Sequence, residues 1–311
     1  MSASILPGRW WGANPGHEGM NGFPMADRRL SREVRALRAP GVAGARAVAG
    51  LHKTGGFFGD AALLDFATGF FAVSDSPDRN PSASRRVMDR FAAMLGTVFP
   101  DGRPTADGRS WFEKARDALL GGAESILETI PSHESCTFTG VLVAGNGDET
   151  RMILLHTGDS VLLEYAKGSG EVRLLSESNF WMVGRTRRFY QVEELPAGPD
   201  CFYILATDGL MQHDLMGQPP CVLPGGLPKP AAVEDLPDGF IHALWDRQFH
   251  DDITMISLAP RGLGDADPRC FIEELETDRP VFSRLRDGRL PRIEDYSPVG
   301  PGRCGLFIVY D

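Results

Sequence analysis

The chain has 311 residues, 42% of them hydrophobic and 24% charged, an ordinary globular composition with ample material for a buried core. Its net charge of −10 excludes bulk attraction to nucleic acid, where affinity rests on Lys and Arg neutralising backbone phosphates. No apolar run reaches the ~18–20 residues that span a bilayer, and MSASILPGRWWGANPGHEGM lacks the basic and apolar regions of a secretory signal, so a cytoplasmic protein with no membrane partner is expected.

Residues 1–45 are rich in Gly, Pro and Arg and read as an N-terminal extension. Within them Arg28, Arg29, Arg32, Arg35 and Arg38 alternate with Leu30, Val34 and Leu37 at helical spacing. That pattern predicts a short helix with a solvated basic face, or one that docks a partner. Residues 46–259 then read as one domain. Strands are predicted at Arg46–His52, Ala61–Phe66 and Gly69–Ser74, the last two joined by a tight turn at Ala67-Thr68. Apolar stripes of period 3.6 predict helices over Ser84–Val98 and Trp111–Ile130, the second interrupted by Gly121-Gly122.

Strands resume at Thr137–Ala144, Arg151–His156, Val161–Tyr165, Val172–Leu175, Phe189–Glu193, Cys201–Ala206 and Ile253–Leu258, with a helix over Gly239–Phe249 before the last. Gly145-Asn146-Gly147-Asp148 and Lys167-Gly168-Ser169-Gly170 are hairpin connectors. Hairpin-linked strands with grouped helices predict an α+β fold with antiparallel sheets. Residues 260–311 read as a C-terminal extension packed on the domain, ending in a strand-like Leu306–Tyr310.

Aspartates stand where apolar strands begin or stop. Asp60 precedes AALLDF, Asp75 ends GFFAVSD, Asp208 ends CFYILATD, and Asp251-Asp252 precede ITMISLA. A strand rooted in a core holds a carboxylate stiffly, and several such tips converging make the oxygen-rich site that Mg²⁺ or Mn²⁺ prefers. Singly, each has a plain alternative, since Asp favours turns. Cys136, Cys201, Cys221, Cys270 and Cys304 form no CxxC pair and read as isolated buried thiols. The seven histidines show no ligand spacing, and DSPDRN lacks the oxygen ligands of a calcium loop.

FFGDAALLDFATGFFAVSD, TFTGVLVA, ILLHTGDSVLLEY, YILATDGLMQ and DDITMISL occur in that order. This ordered series resembles the motifs of the metal-dependent protein phosphatases, the protein phosphatase 2C family, over about Arg46 to Ala259. The resemblance implies two packed antiparallel sheets flanked by helices, an αββα sandwich. It implies that two or more Mn²⁺ or Mg²⁺ ions activate a water that hydrolyses phosphoserine or phosphothreonine in a protein substrate. Asp75 then resembles the aspartate bridging two metals, and Ser76 stands where the family binds a metal through a glycine carbonyl. Asp208 and Asp251 resemble the remaining metal-binding aspartates, and Asp60 the acidic residue that holds metal-bound water. Gly158, Asp159 and Ser160 match a motif read as mainly structural.

The sequence departs from the family at the DSPDRNP loop, where Pro77 replaces a histidine that some members use as a general acid. The family's phosphate-gripping arginine has no counterpart; Lys53 is the nearest cation, a point charge without a bidentate fork. Three readings therefore stand. One is an active phosphatase, for which a bacterial regulatory protein of the anti-sigma-antagonist type is one substrate class. The others are a weak or inactive binding module on the same fold, and an unrelated α+β protein.

Overall fold

Runs of Val, Ile, Leu and Phe bracketed by turn residues fold here as strands. The computed structural model describes residues 34–48, 59–77, 81–100, 109–145, 147–211, 232–244, 251–265, 271–274, 291–296 and 303–310. In chain order the elements are β1 (Val34–Ala39), β2 (Ala43–Val48), β3 (Ala61–Asp65), β4 (Phe70–Ser74), α1 (Pro81–Val98), α2 (Arg109–Thr129), β5 (Phe138–Ala144), β6 (Arg151–Thr157) and β7 (Val161–Ala166). They continue with β8 (Val172–Leu174), β9 (Gln191–Pro196), β10 (Cys201–Ala206), α3 (Leu236–Leu244), β11 (Ile253–Leu258), β12 (Phe271–Glu274), β13 (Pro291–Tyr296) and β14 (Arg303–Tyr310). None of these helices is long and apolar enough to cross a membrane.

The strands form two seven-stranded antiparallel sheets. One has the order β12-β1-β2-β11-β10-β7-β8, the other β13-β14-β3-β4-β5-β6-β9. Alternation along each strand divides the apolar side chains between faces. Ala45, Leu205 and Ile256 of the first sheet meet Leu64, Val73, Val141 and Leu154 of the second in the middle layer. Phe70, Phe138, Leu142 and Leu155 point the other way, under α1 and α2, where Phe91 stacks on Phe138 at 4.3 Å between ring centroids. On the far side, Ile204, Ile253 and Met255 pack against Leu236 and Phe240 of α3. This is the αββα sandwich expected.

α2 runs unbroken through Gly121-Gly122. A Cβ at Gly122 would stand 2.7 Å from the Met94 side chain, so this glycine marks close packing of α2 on α1. Both hairpin connectors join paired strands, β5 to β6 and β7 to β8.

Three expectations need correction. The basic stretch is not helical where it is described: Val34–Ala39 is strand β1, carrying Arg35 and Arg38. The overriding signal is Pro40-Gly41, a type II turn in which Gly41 takes φ 70° and Val42 N donates to Ala39 O at 3.0 Å, folding β1 back on β2. The last helix begins earlier, at Leu236, because Pro237 is tolerated in a first turn where its missing N–H costs nothing. Strand β9 begins later, at Gln191; Phe189 is buried instead against Phe91 and Phe138.

The terminal segments enter both sheets. Residue 46 lies inside β2, β12 pairs with β1, and β14 pairs with β3.

His156 on β6 faces the middle layer, fully buried, with Nδ1 2.8 Å from Thr139 Oγ1 and Nε2 2.9 Å from Glu177 O. Burial is the main cause that holds its pKa down at about 4, so the folded protein keeps it neutral. A lowered histidine pKa contributes stability that is complete above the unfolded value of ~6.5 and is lost as pH falls toward 4. Between pH 7 and pH 4.5 this should remove about 2–3 kcal/mol, at ~1.4 kcal/mol per unit. Urea unfolding at both pH values checks it: wild type should lose that much more than His156→Gln, and equal losses would remove His156 as the cause.

Candidate functional site

The end of the sandwich where β3 starts and β4 stops is also where β10 stops and β11 starts. Asp60 therefore sits immediately before β3 and Asp75 immediately after β4, while Asp208 follows β10 by two residues and Asp251-Asp252 lead into β11. Asp159 joins them from the connection between β6 and β7, which crosses from one sheet to the other.

Each aspartate is held by local chemistry. Asp75 N donates to Thr137 Oγ1 at 2.9 Å, Thr137 N donates to Asp75 O at 2.7 Å, and Ser74 Oγ donates to Thr137 O at 2.6 Å. Thr137 Oγ1 also shares a 2.7 Å hydrogen bond with Ser160 Oγ, which ties the Gly158-Asp159-Ser160 turn to Asp75. Gly158 is required there: it has φ 106°, and a Cβ would lie 2.7 Å from Thr137. Across the sheets, Thr207 Oγ1 donates to Asp60 Oδ2 at 2.7 Å while accepting Thr254 N at 2.9 Å. Asp252 Oδ2 accepts Gly59 N at 3.2 Å, and Asp251 Oδ1 accepts Asp252 N at 2.9 Å.

Ser76 has a second use. Its Oγ accepts Ser84 N at 2.8 Å, and Ser84 Oγ donates to Gly59 O at 2.6 Å. Ser84 lies in the first turn of α1, whose N–H groups have no partner within the helix. The side chain thus caps α1 and fastens it to the loop before Asp60, a bond glycine could not make.

The electrostatics are those of crowded like charges. Asp60 is raised well above the usual carboxylate range, first by burial and then by the charge of Asp252. Asp75 is raised by burial and by Asp60 and Asp251; Asp208 by burial and by Asp75, Asp159 and Asp251. Burial also raises Asp159, with Asp251 contributing. Among the described residues no Lys or Arg forms an ion pair with Asp60, Asp75, Asp159 or Asp208.

Carboxyl oxygens buried together fit a hard divalent ion in kind, and in charge once their protons are released. They are not gathered into a finished cage: among the described residues no group of three or more closes on one point. Asp60 Oδ2 accepts from Thr207 and Asp252 Oδ2 from Gly59, and the Asp60 and Asp75 carboxyls are hydrogen-bonded to each other.

The structure brings Asp60, Asp75, Ser76, Asp208 and Asp251 to one end of the sandwich, while Lys53 lies outside the described residues. Read from the sequence alone, Asp159 is part of a structural motif, Asp252 stands at a strand end without a ligand role, and Thr137 and Thr207 have no part as supports. The signal for Asp159 was its glycine, which places a carboxylate at a tight crossing between sheets. Nothing in the sequence pointed to Thr207. Cys136, at the foot of Asp75, is fully buried, and burial pushes its thiol up to about 12, which removes it as a nucleophile.

No protein-family model and no curated protein matches the chain. Solved structures do. A bacterial serine phosphatase, solved as a point mutant, superposes with a TM-score of 0.52 at 16% identity, covering 70% of this chain and 97% of its own. The PPM Ser-Thr phosphatase MsPP from Mycobacterium smegmatis, in complex with cacodylate, gives 0.50 at 15% identity, covering 71% of this chain and 99% of its own. At such identities the likeness is one of architecture, and it agrees with the sheets and helices described above: the chain has the fold of the bacterial PPM-type (protein phosphatase 2C) Ser/Thr phosphatases.

Proposed function

We propose that the chain is a metal-dependent phosphatase that hydrolyses phosphoserine and phosphothreonine in proteins. The observation that carries this reading is the convergence of Asp60, Asp75, Asp159, Asp208, Asp251 and Asp252 from both sheets, mutually repelling, on a phosphatase fold. Asp75, Asp208 and Asp251 would hold two or more Mn²⁺ or Mg²⁺ ions, with the Ser76 carbonyl beside them and Asp60 and Asp159 completing the shell. Bound ions would supply an acidified water and positive charge opposite the phosphoryl oxygens. The chain's own residues set the geometry. Thr137 fixes the backbone of Asp75 and Thr207 holds one oxygen of Asp60, anchoring carboxylates that come from the two sheets at one end of the sandwich. Lys53 is proposed as the contact to substrate phosphate.

A second reading, a weak or inactive module on this fold, is favoured by Pro77 standing where some of these phosphatases use a histidine and by the ungathered carboxylates among the described residues. One assay separates the two. Hydrolysis of p-nitrophenyl phosphate and of a phosphothreonine peptide should require Mn²⁺ or Mg²⁺ and vanish with chelator. Activity that survives the chelator would end the metal mechanism; no turnover of either substrate with metal bound would leave the binding module.

A further inference from the structure

The described surface exposes large apolar side chains in one stretch only: Phe180 at 76%, with Trp181, Tyr190 and Val192 each at 43%. Trp181 and Tyr190 meet edge to face, 5.6 Å between centroids, so they form a patch and not scattered contacts. Between them Arg185, Arg187 and Arg188 are exposed, and among the described residues none of the three is in an ion pair. A basic and aromatic patch on a chain of net charge −10 is a local reversal of the protein's own field.

The patch is built rather than loose. Asn179 Oδ1 accepts Gly158 N at 2.9 Å and Trp181 N at 3.0 Å, and Asn179 N donates to Gly158 O at 2.9 Å. Val183 exchanges backbone hydrogen bonds with Cys136, at 2.9 and 3.3 Å. Gly184 takes φ 85° with its Cβ position 2.8 Å from Pro131 O, a bend closed to other residues. Both anchors touch the aspartate cluster's supports: Gly158 precedes Asp159, and Cys136 precedes Thr137, which holds Asp75. The surface therefore flanks the carboxylates at fixed register, already ordered before any partner arrives, which lowers the entropic cost of docking.

We propose, resting on the phosphatase reading above, that residues 179–192 form the docking surface for an acidic, phosphorylated segment of a protein substrate. Acidic side chains near the phosphoresidue would pair with Arg185, Arg187 and Arg188 through bidentate bonds. An apolar side chain would lie against Trp181 and Phe180, residue types that commonly anchor interfaces. Charge complementarity selects this occupant: acidic side chains match the three arginines, whereas a second copy docked through the same patch would set those arginines against their own copies.

The test uses the full chain with Mn²⁺ and two variants, Phe180→Ala/Trp181→Ala and Arg187→Glu/Arg188→Glu. Substrates are p-nitrophenyl phosphate, too small to reach the patch, and a phosphoserine peptide flanked by Glu, Asp and one Leu. Binding is read separately, by anisotropy of the same peptide carrying a phosphonate in place of the phosphate ester. Both variants should keep aryl phosphate kcat/KM within about 2-fold while losing about 10-fold or more on the peptide, chiefly through KM, as lost uniform binding does. The charge-reversed variant should also lose the salt sensitivity of peptide binding. Unchanged peptide kinetics and unchanged anisotropy in both variants overturn the proposal. So does sedimentation showing that wild type is a dimer which the Trp181 variant dissolves. If wild type turns over neither substrate, the phosphatase reading fails alone: peptide binding that weakens in the variants still upholds the docking surface, and its absence overturns that as well.

Discussion

Replacing Asp75 with Asn should reduce Mn²⁺-dependent phosphate release about 100-fold or more while making the metal-free protein more stable. Outer partners of metal sites typically cost 10–100-fold when lost, and a proposed ligand should reach the upper end. The stability gain follows from sign. Burial and the charges of Asp60 and Asp251 raise the Asp75 carboxyl in the folded state, so the fold binds a proton more tightly than the unfolded chain does. Above the ordinary carboxylate range, burying this cluster therefore opposes folding, and that opposition is relieved as pH falls. Asn removes it without acid. Relief of ~1 kcal/mol would raise Tm by about 2–4 °C in a domain of this size. Thermal melts with and without Mn²⁺ check both halves: wild type should gain stability on adding metal, as ligands of the native state confer, and Asp75→Asn should not. Asp148→Asn, at an exposed site beyond the cluster, serves as control. If Asp75→Asn gains as much from Mn²⁺ as wild type, Asp75 is not a ligand and the proposed centre falls.

Gly209→Ala should cost about 3 kcal/mol, as forced overpacking does, and should disable the site although it removes no functional group. Gly209 follows Asp208 and its N–H donates to that carboxylate. A Cβ at this position would fall inside the Asp252 carbonyl oxygen, which is backbone and cannot swing aside. Either the turn Asp208–Leu210 or the start of β11 must move, and each carries part of the aspartate cluster. Gly121→Ala offers the contrast, since a Cβ there meets nothing within 4 Å. In a helix interior that change should stabilise by roughly 0.5–1 kcal/mol. Urea unfolding of the two variants beside wild type decides: a Gly209→Ala protein as stable as wild type would mean that the two backbones do not approach so closely.

Much of the architecture was legible before any tertiary contact was known, because it is set locally. Short continuous apolar runs bounded by Gly and Asp marked β3, β4, β10 and β11, and period-3.6 stripes marked α1 and α2. Gly145-Asn146-Gly147 and Gly168-Ser169-Gly170 marked hairpins because turn geometry is chosen by the turn residues themselves. These local signals also put Asp60, Asp75, Asp208 and Asp251 at strand ends. Where a local signal was misjudged, a stronger one stood beside it: Pro40-Gly41 makes a hairpin of what arginine spacing alone had suggested was a helix.

What the sequence by itself determined, then, is the central strands, the helices α1 and α2 with the hairpin turns, and which carboxylates stand at the strand ends. Only the tertiary structure decided which ends meet. Asp60 and Thr207 are 147 positions apart, and Gly59 and Asp252 are 193 apart, yet hydrogen bonds join both pairs. Such pairings depend on strand order and on how two sheets stack, and neither leaves a trace in spacing along the chain. The same holds for Asp159, whose motif read as structural until the crossing between sheets placed it beside Asp208. It holds too for the hydroxyl of Ser76, committed to α1 through a fold-back from Ser84. Backbone and side-chain propensities act within a few residues, whereas the field felt by a buried carboxylate is set by whatever the fold brings next to it.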